Sequence, residues 1–314
     1  MPIALDAWLT LIEREYLTTF IPDGGGATRF VVADGEVIAS PSDALRSTAR
    51  GAGLSVIAID TAVTRLHMLH FVFFAVVEAL DWPTLLQNRL ERLVGEAGYR
   101  WPNPGRQVTF PVLAEHNDIA PSLLRTTVQQ QMTSSIWEDS RLAQDFRNAM
   151  IALLDAQLTG DQEGLGDSVG RWLRGEPGSL RWVKNAQIGA RIGRHNARAM
   201  LVSLCHWLRS CGHRGPVVML DIRRLLRDRR EVSNGIAYTP AAVMDCYKVM
   251  RQVIDDAEHL EGLFLTVLAD PRLVNDDVPK RALSQYTALK MRVWDDVRPQ
   301  GQDNPLSPLV AVAA

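Results

Sequence analysis

The run Leu54-Ser55-Val56-Ile57-Ala58-Ile59-Asp60 is almost wholly apolar, rich in β-branched residues, and ends on an aspartate. A strand with one wet face alternates apolar and polar residues. A run without that alternation belongs to a strand covered on both faces, the habit of parallel sheets. Upstream, Arg29-Phe30-Val31-Val32-Ala33 has the same character, and Ser42 to Ala52 predicts a helix closed by Gly53. Downstream, a helix follows through Leu80. Strand, helix, strand, helix is the grammar of βαβ units. It returns late in the chain, in Val217-Val218-Met219-Leu220-Asp221, a helix from Pro240 to Glu258, and the strand Leu263 to Ala269.

Between these halves lies a helical stretch, 82–211, interrupted near Tyr99–Pro111, Gly160–Gly166 and Gly175–Ser179. The expected division is 1–98 and 187–298 as two halves of one α/β core, 99–186 as a helical insertion, and 299–314 as an extended tail. A helix over residues 2–20 opens the chain and stops at Pro22 and Gly24-Gly25-Gly26. Its acidic residues and lack of a basic start argue against a signal peptide. The longest apolar run, Leu66–Leu80, holds 15 residues and includes His67, His70 and Glu78. It is too short and too polar to cross a bilayer, so no membrane association is expected. Three cysteines in 314 residues are too few for a disulfide framework, which points to a reducing, cytoplasmic setting.

Several stretches together carry a resemblance. They are GGGATRFVVADG (24–35), RLHMLHFVFFAVVEAL (65–80), ARIGRHNARAMLVSLCHWLRSCGHRGPVVMLD (190–221), AAVMDCYKVMRQVIDDAEHLEGLFLTVLADPRL (241–273), QYTALKMRV (285–293) and NPL (304–306). In this order they resemble the P-loop ATPases of the AAA+ class, and within it the ATP-binding proteins of BREX-type bacteriophage-defence operons, the BrxD-like group. The resemblance implies an AAA+-like parallel sheet with a helical insertion. It also implies membership of a defence complex with other protein subunits, an active ATPase paralogue among them, and an oligomeric assembly.

The family's phosphate-binding loop is G-x-x-x-x-G-K-[ST]. Its glycines bring backbone N–H groups to the phosphates, its lysine supplies charge, and its hydroxyl holds magnesium. The matching segment here is Ala33-Asp34-Gly35-Glu36-Val37-Ile38-Ala39-Ser40. Only Gly35 remains of the glycines, and Ile38 or Ala39 stands at the lysine position. Asp34 and Glu36 place negative charge where a polyphosphate would sit, and no lysine occurs before Lys184. The second motif is altered too. Asp221 keeps the magnesium-binding position, but Ile222 and Arg223 follow it where the family has a glutamate that orients water. The expectation is a degenerate nucleotide site at Asp34, Gly35, Ser40 and Asp221, with no cofactor required and ATP with magnesium disfavoured. The alternatives are an ATPase with an atypical loop, arginines replacing the lysine at the N-terminus of the Ser42 helix, and an unrelated α/β protein in which Asp34–Ser40 is an ordinary turn.

The basic residues are unevenly placed. Between Arg171 and Arg230, fourteen of them stand against Glu176, Asp221 and Asp228, in a chain of net charge −2. The spacing of Arg191, Arg194 and Arg198 predicts one helical face. Arg223, Arg224, Arg227, Arg229 and Arg230 crowd just beyond the second aspartate-ended strand. Three readings stand side by side: a phosphate-backbone surface for DNA or RNA, a protein contact, and a solvated face. Seven acids within 138–167 and the acidic stretch from Asp255 to Asp277 supply internal partners. An arginine here could also serve a neighbouring subunit's nucleotide, as the AAA+ resemblance implies.

Other constellations read as structure. Cys205, His206, Cys211 and His213 suit zinc by type, but they lack a second ligand pair at finger spacing and fit a helix end at Gly212. The adjacent pairs Asp255-Asp256, Asp276-Asp277 and Asp295-Asp296 point apart and read as solvated helix ends. Trp137, Trp172, Trp182 and Trp207 read as core or partner anchors.

Overall fold

The computed structural model describes residues 2–33, 39–102, 108–161, 163–275, 280–294 and 304–313. In chain order the elements are β1 (Ile3–Ala4), α1 (Leu5–Ile12), β2 (Ala27–Val32), α2 (Ala39–Gly51), β3 (Ser55–Ile59) and α3 (Leu69–Ala79). A helical series follows: α4 (Trp82–Glu96), α5 (Phe110–His116), α6 (Pro121–Met132), α7 (Gln144–Thr159), α8 (Leu165–Leu173) and α9 (Ala197–Ser210). The chain then returns through β4 (Pro216–Asp221), α10 (Pro240–Asp255), β5 (Phe264–Ala269), α11 (Thr287–Val293) and β6 (Leu309–Ala313).

The strands form one sheet in the order β1-β6-β2-β5-β4-β3, and every pairing is parallel. All four strands read from the sequence are present. The tail expected to be merely extended contributes β6, which pairs with β2 from Phe30↔Leu309 to Val32↔Ala311. The central strands are buried along nearly their whole length, β5 at every residue. On one face Val31, Val217, Met219, Phe264 and Leu268 pack with Trp8 and Ile12 of α1 and Leu45 and Ala49 of α2. On the other, Phe30, Val218, Leu265 and Val267 are equally buried. Apolar residues on both faces are why these runs do not alternate.

Gly26 has a structural role that its place in a glycine run conceals. A Cβ there would lie 2.2 Å from the Ala257 carbonyl oxygen. Only glycine lets the entry to β2 pass this close to the backbone beyond α10.

Two compact units are distinguished: residues 1–76 with 214–314, and residues 77–213. The second is wider at both ends than the 99–186 segment marked by the sequence breaks; at its start, α4 packs on α6 and α7. In this unit α7 is buried nearly all round, through Phe146, Asn148, Ala149, Met150, Leu153, Leu154 and Leu158. A helix apolar on every side is a central helix. Gly160, at φ 81°, ends it. Among the described residues no single helix is long and apolar enough to cross a membrane.

Candidate functional site

The topology locates a site before any side chain is considered. From β2 the chain leaves toward β3 on one side, and from β5 toward β6 on the other. Adjacent parallel strands whose connections diverge open a crevice beyond their carboxyl ends, where ligands of open α/β sheets bind. That crevice lies beyond the carboxyl ends of β2 and β5. Asp34 and Gly35, after β2, lie outside the described residues; Ser40 falls in the first turn of α2.

Aspartates crown this edge. Asp60 follows β3, Asp221 ends β4 and Asp270 follows β5. Each accepts a backbone N–H two residues on: Asp60 Oδ1 from Ala62 at 2.7 Å, Asp221 Oδ1 from Arg223 at 3.1 Å, Asp270 Oδ1 from Arg272 at 2.9 Å. Short polar side chains at strand ends close the turn this way.

Asp221 differs from the other two. The Arg223 guanidinium also grips it, with Nε 2.9 Å from Oδ1 and 3.1 Å from Oδ2, and Nη2 2.5 Å from Oδ2. This hydrogen bonding pushes the Arg223 guanidinium further above its ordinary range, and charge-assisted bonds of this kind are the strong ones. Asp60, Asp221, Arg223, Arg224 and Arg227 line a cavity of about 290 Å³.

The loop around that cavity is held firmly. Arg224 donates from Nη1 to the Asn234 carbonyl at 2.5 Å and from Nη2 to Asn234 Oδ1 at 3.1 Å. Arg281, buried, donates to the carbonyls of Leu225 and Tyr238, each at 3.0 Å. The Tyr238 hydroxyl donates to the Thr64 carbonyl at 2.7 Å, and burial pushes its phenol up to about 12. Neither Arg281 nor Tyr238 was a candidate from sequence. Each is a lone residue far along the chain from its partners, with no motif to mark it.

The arginine groups separate. Arg191 and Arg194 do not share a helical face with Arg198, because α9 begins only at Ala197. Gly193 donates its N–H to Asn196 Oδ1 at 2.8 Å, and Asn196 Nδ2 donates to the Arg191 carbonyl at 3.1 Å. This side-chain-to-backbone turn takes the place of a first helical turn. Arg191, Arg194 and Arg198 are exposed. The three acids within 171–230 are all engaged: Glu176 with Arg171 and Arg174, Asp221 with Arg223, and Asp228 with Arg281. Arg227, Arg229 and Arg230 are exposed and, among the described residues, make no ion pair. Of the acid pairs, Asp255 is not simply solvated: it meets Arg251 at 2.5 Å and also Arg292. Asp276-Asp277 and Asp295-Asp296 lie outside the described residues.

Cys205, Cys211 and Cys246 are buried, and burial raises the Cys211 thiol to about 12. His206 Nε2 meets Asp139 Oδ2 at 2.8 Å. Among the described residues no cluster of histidine, cysteine or carboxylate side chains is arranged to hold a metal ion.

No curated protein and no solved structure matches this chain. A profile of the family described as BREX system ATP-binding protein BrxC/D matches residues 106–314. That span is about two thirds of the chain and includes β4 with Asp221, the basic segment, β5 and β6. The parallel sheet with aspartates along its carboxyl edge, and this match, lead to one conclusion: the chain belongs to the BREX system ATP-binding protein BrxC/D family.

Proposed function

We propose that this protein is a non-hydrolysing, ATPase-like subunit of a BREX defence assembly, acting by binding partner subunits and nucleic acid. The observation that carries this reading is the Asp221–Arg223 pair. In a hydrolysing relative the strand-end aspartate holds magnesium and the next residue orients water. Here both Asp221 oxygens are engaged by a guanidinium from the same chain, and Ile222 follows, fully buried. A magnesium ion would have to displace a charge-assisted, multiply hydrogen-bonded cation. An aspartate already held by its own chain's guanidinium is a poor ligand for magnesium, and this disfavours magnesium-ATP.

Binding then rests on surface chemistry. Arg227, Arg229 and Arg230 are exposed cations whose local acids are already paired elsewhere. Such groups suit phosphate oxygens or an acidic face of a partner subunit.

The test is a phosphate-release assay on the purified protein with magnesium and ATP. Release at the level of the blank, unchanged by Asp221→Ala, is expected. Turnover that disappears in Asp221→Ala would overturn the reading and restore an ATPase with an atypical loop.

A further inference from the structure

We infer that the helical unit carries a binding site for an unpaired nucleobase, in the cavity walled by Trp137. The cavity holds about 530 Å³, within the range of small-ligand sites. Its floor is one face of α7: Asn148, Ile151, Ala152 and Asp155 line it, at spacings of three, four and seven residues. Met132 of α6 and Trp137, just beyond that helix, form the apolar wall.

Three features give the cavity its chemistry. Trp137 is 39% exposed, an aromatic surface open to a stacked ring. Gln129, Asn185 and Gln187 line the cavity, and among the described residues their side-chain amides make no hydrogen bond. Asp155 contributes a carboxylate to the lining, with its Oδ1 buried behind the surface and out of a ligand's reach. An aromatic plane with carboxamides and a carboxylate around it matches a base, which has two π-faces and an edge of donors and acceptors.

The cavity is built rather than incidental. Asn148 Nδ2 donates to the Gln187 carbonyl at 2.8 Å. Asp145 accepts the N–H groups of Gly189 and Ala190, each at 3.1 Å. Trp172 Nε1 donates to the Ala190 carbonyl at 3.0 Å. These bonds pin the segment bearing Asn185 and Gln187 over α7.

Charge selects among ligands. Arg147 lies over the Trp137 ring at 5.5 Å and donates to the Trp137 carbonyl at 2.6 Å. Lys184, beside Asn185, is exposed. These cations suit an anionic tether, and the Trp137 plane with the carboxamides suits the ring that carries it. The ring is a base on a free nucleotide or on a single strand.

The assignment goes beyond the loss of hydrolysis and uses a different site. It is tested on the full chain by fluorescence anisotropy with a labelled single-stranded 12-mer, an abasic 12-mer, and competition by unlabelled nucleoside monophosphates. Trp137→Ala should weaken oligonucleotide or mononucleotide binding by about 5- to 150-fold, the worth of one stacked base. Trp137→Phe should retain most of the affinity. The double variant Gln129→Ala/Asn185→Ala changes exposed side chains without internal partners among the described residues, so it should fold normally and still bind several-fold more weakly. Mononucleotides competing at low concentration would identify a free nucleotide; competition by strands alone would identify single-stranded nucleic acid. Wild-type affinity in all these variants overturns the site, as does equal binding of the abasic strand. Trp137-dependent binding of unstructured peptides with no nucleotide signal overturns it in favour of a protein-docking pocket. A parallel Arg227→Ala/Arg229→Ala/Arg230→Ala variant separates this site from the arginine surface, since each can fail alone.

Discussion

Asp221 and Asp155 both line cavities, and they are in opposite condition. At the sheet edge every oxygen of Asp221 is engaged, by one backbone N–H and a two-pronged guanidinium. In the helical unit Asp155 keeps a buried oxygen with no partner among the described residues, beside carboxamides that have none either. The first arrangement is self-sufficient and leaves little for a ligand to gain. The second leaves a carboxylate oxygen shielded and unpaired, a cost that the fold itself carries. What suits the second cavity to a ligand is its open aromatic wall and its unpaired carboxamides, not the buried oxygen.

The largest expected effect separates an aromatic of the sheet core from one on a cavity wall. Phe264 on β5 is fully buried, so Phe264→Ala should cost about 3–5 kcal/mol in urea unfolding. Trp137 is a wall with much of its surface in water. Trp137→Ala should cost only about 1 kcal/mol, its buried fraction and its stacking against Arg147. Equal costs would make Trp137 a structural pillar and break the contrast.

Next comes the arginine surface beyond β4. Arg227→Ala/Arg229→Ala/Arg230→Ala should reduce the slope of log K against log salt for duplex DNA by up to about 2.7, at roughly 0.9 for each phosphate no longer neutralised. Between 50 and 200 mM salt that amounts to about 40-fold. An unchanged slope would assign these arginines to protein partners or to solvent.

The saturated carboxylate should be sensitive to removal of its charge. Asp221→Asn weakens the grip of Arg223 and should cost about 1–2 kcal/mol, allowing for partial exposure of both side chains. Chemical denaturation at pH 7 measures it directly.

Much of this was legible in the sequence, for physical reasons that differ by element. β2, β3, β4 and β5 were readable because burial on both faces leaves no room for polar alternation. β6 was not, because Leu309–Ala313 is a short run behind a stretch rich in proline, glycine and aspartate. The helical reading of Arg191, Arg194 and Arg198 failed because spacing sees side chains and not the Gly193–Asn196 turn that interrupts the backbone. Asp221 and Arg223 were both noticed, but their pairing was not. Only the turn at Ile222 brings two residues of opposite charge together beyond the strand. Trp137 was indistinguishable from a core tryptophan, since its exposure depends on how the continuation of α6 meets α7.

Asp139 supplies an intermediate case within the helical unit. Burial alone would raise its carboxyl, but hydrogen bonds from Arg141 and His206 outweigh that and hold it at about 2. A folded value below the ordinary carboxylate range means the contribution is present above about pH 4 and is lost as pH falls toward 2. The loss should be about 1 kcal/mol, read as a steeper acid decline for wild type than for Asp139→Asn.

The smallest effect is the most discriminating. Asp155→Asn replaces an unpartnered buried carboxylate oxygen with an amide of nearly the same shape. No described group relies on the charge of that oxygen, and an amide costs less than a carboxylate to keep from water. The variant should therefore be as stable as wild type or more so, within about 0.5 kcal/mol, while the same exchange at Asp221 destabilises. A clear loss of stability in Asp155→Asn would mean that the carboxylate has a structural partner after all, and the contrast with Asp221 would vanish with it.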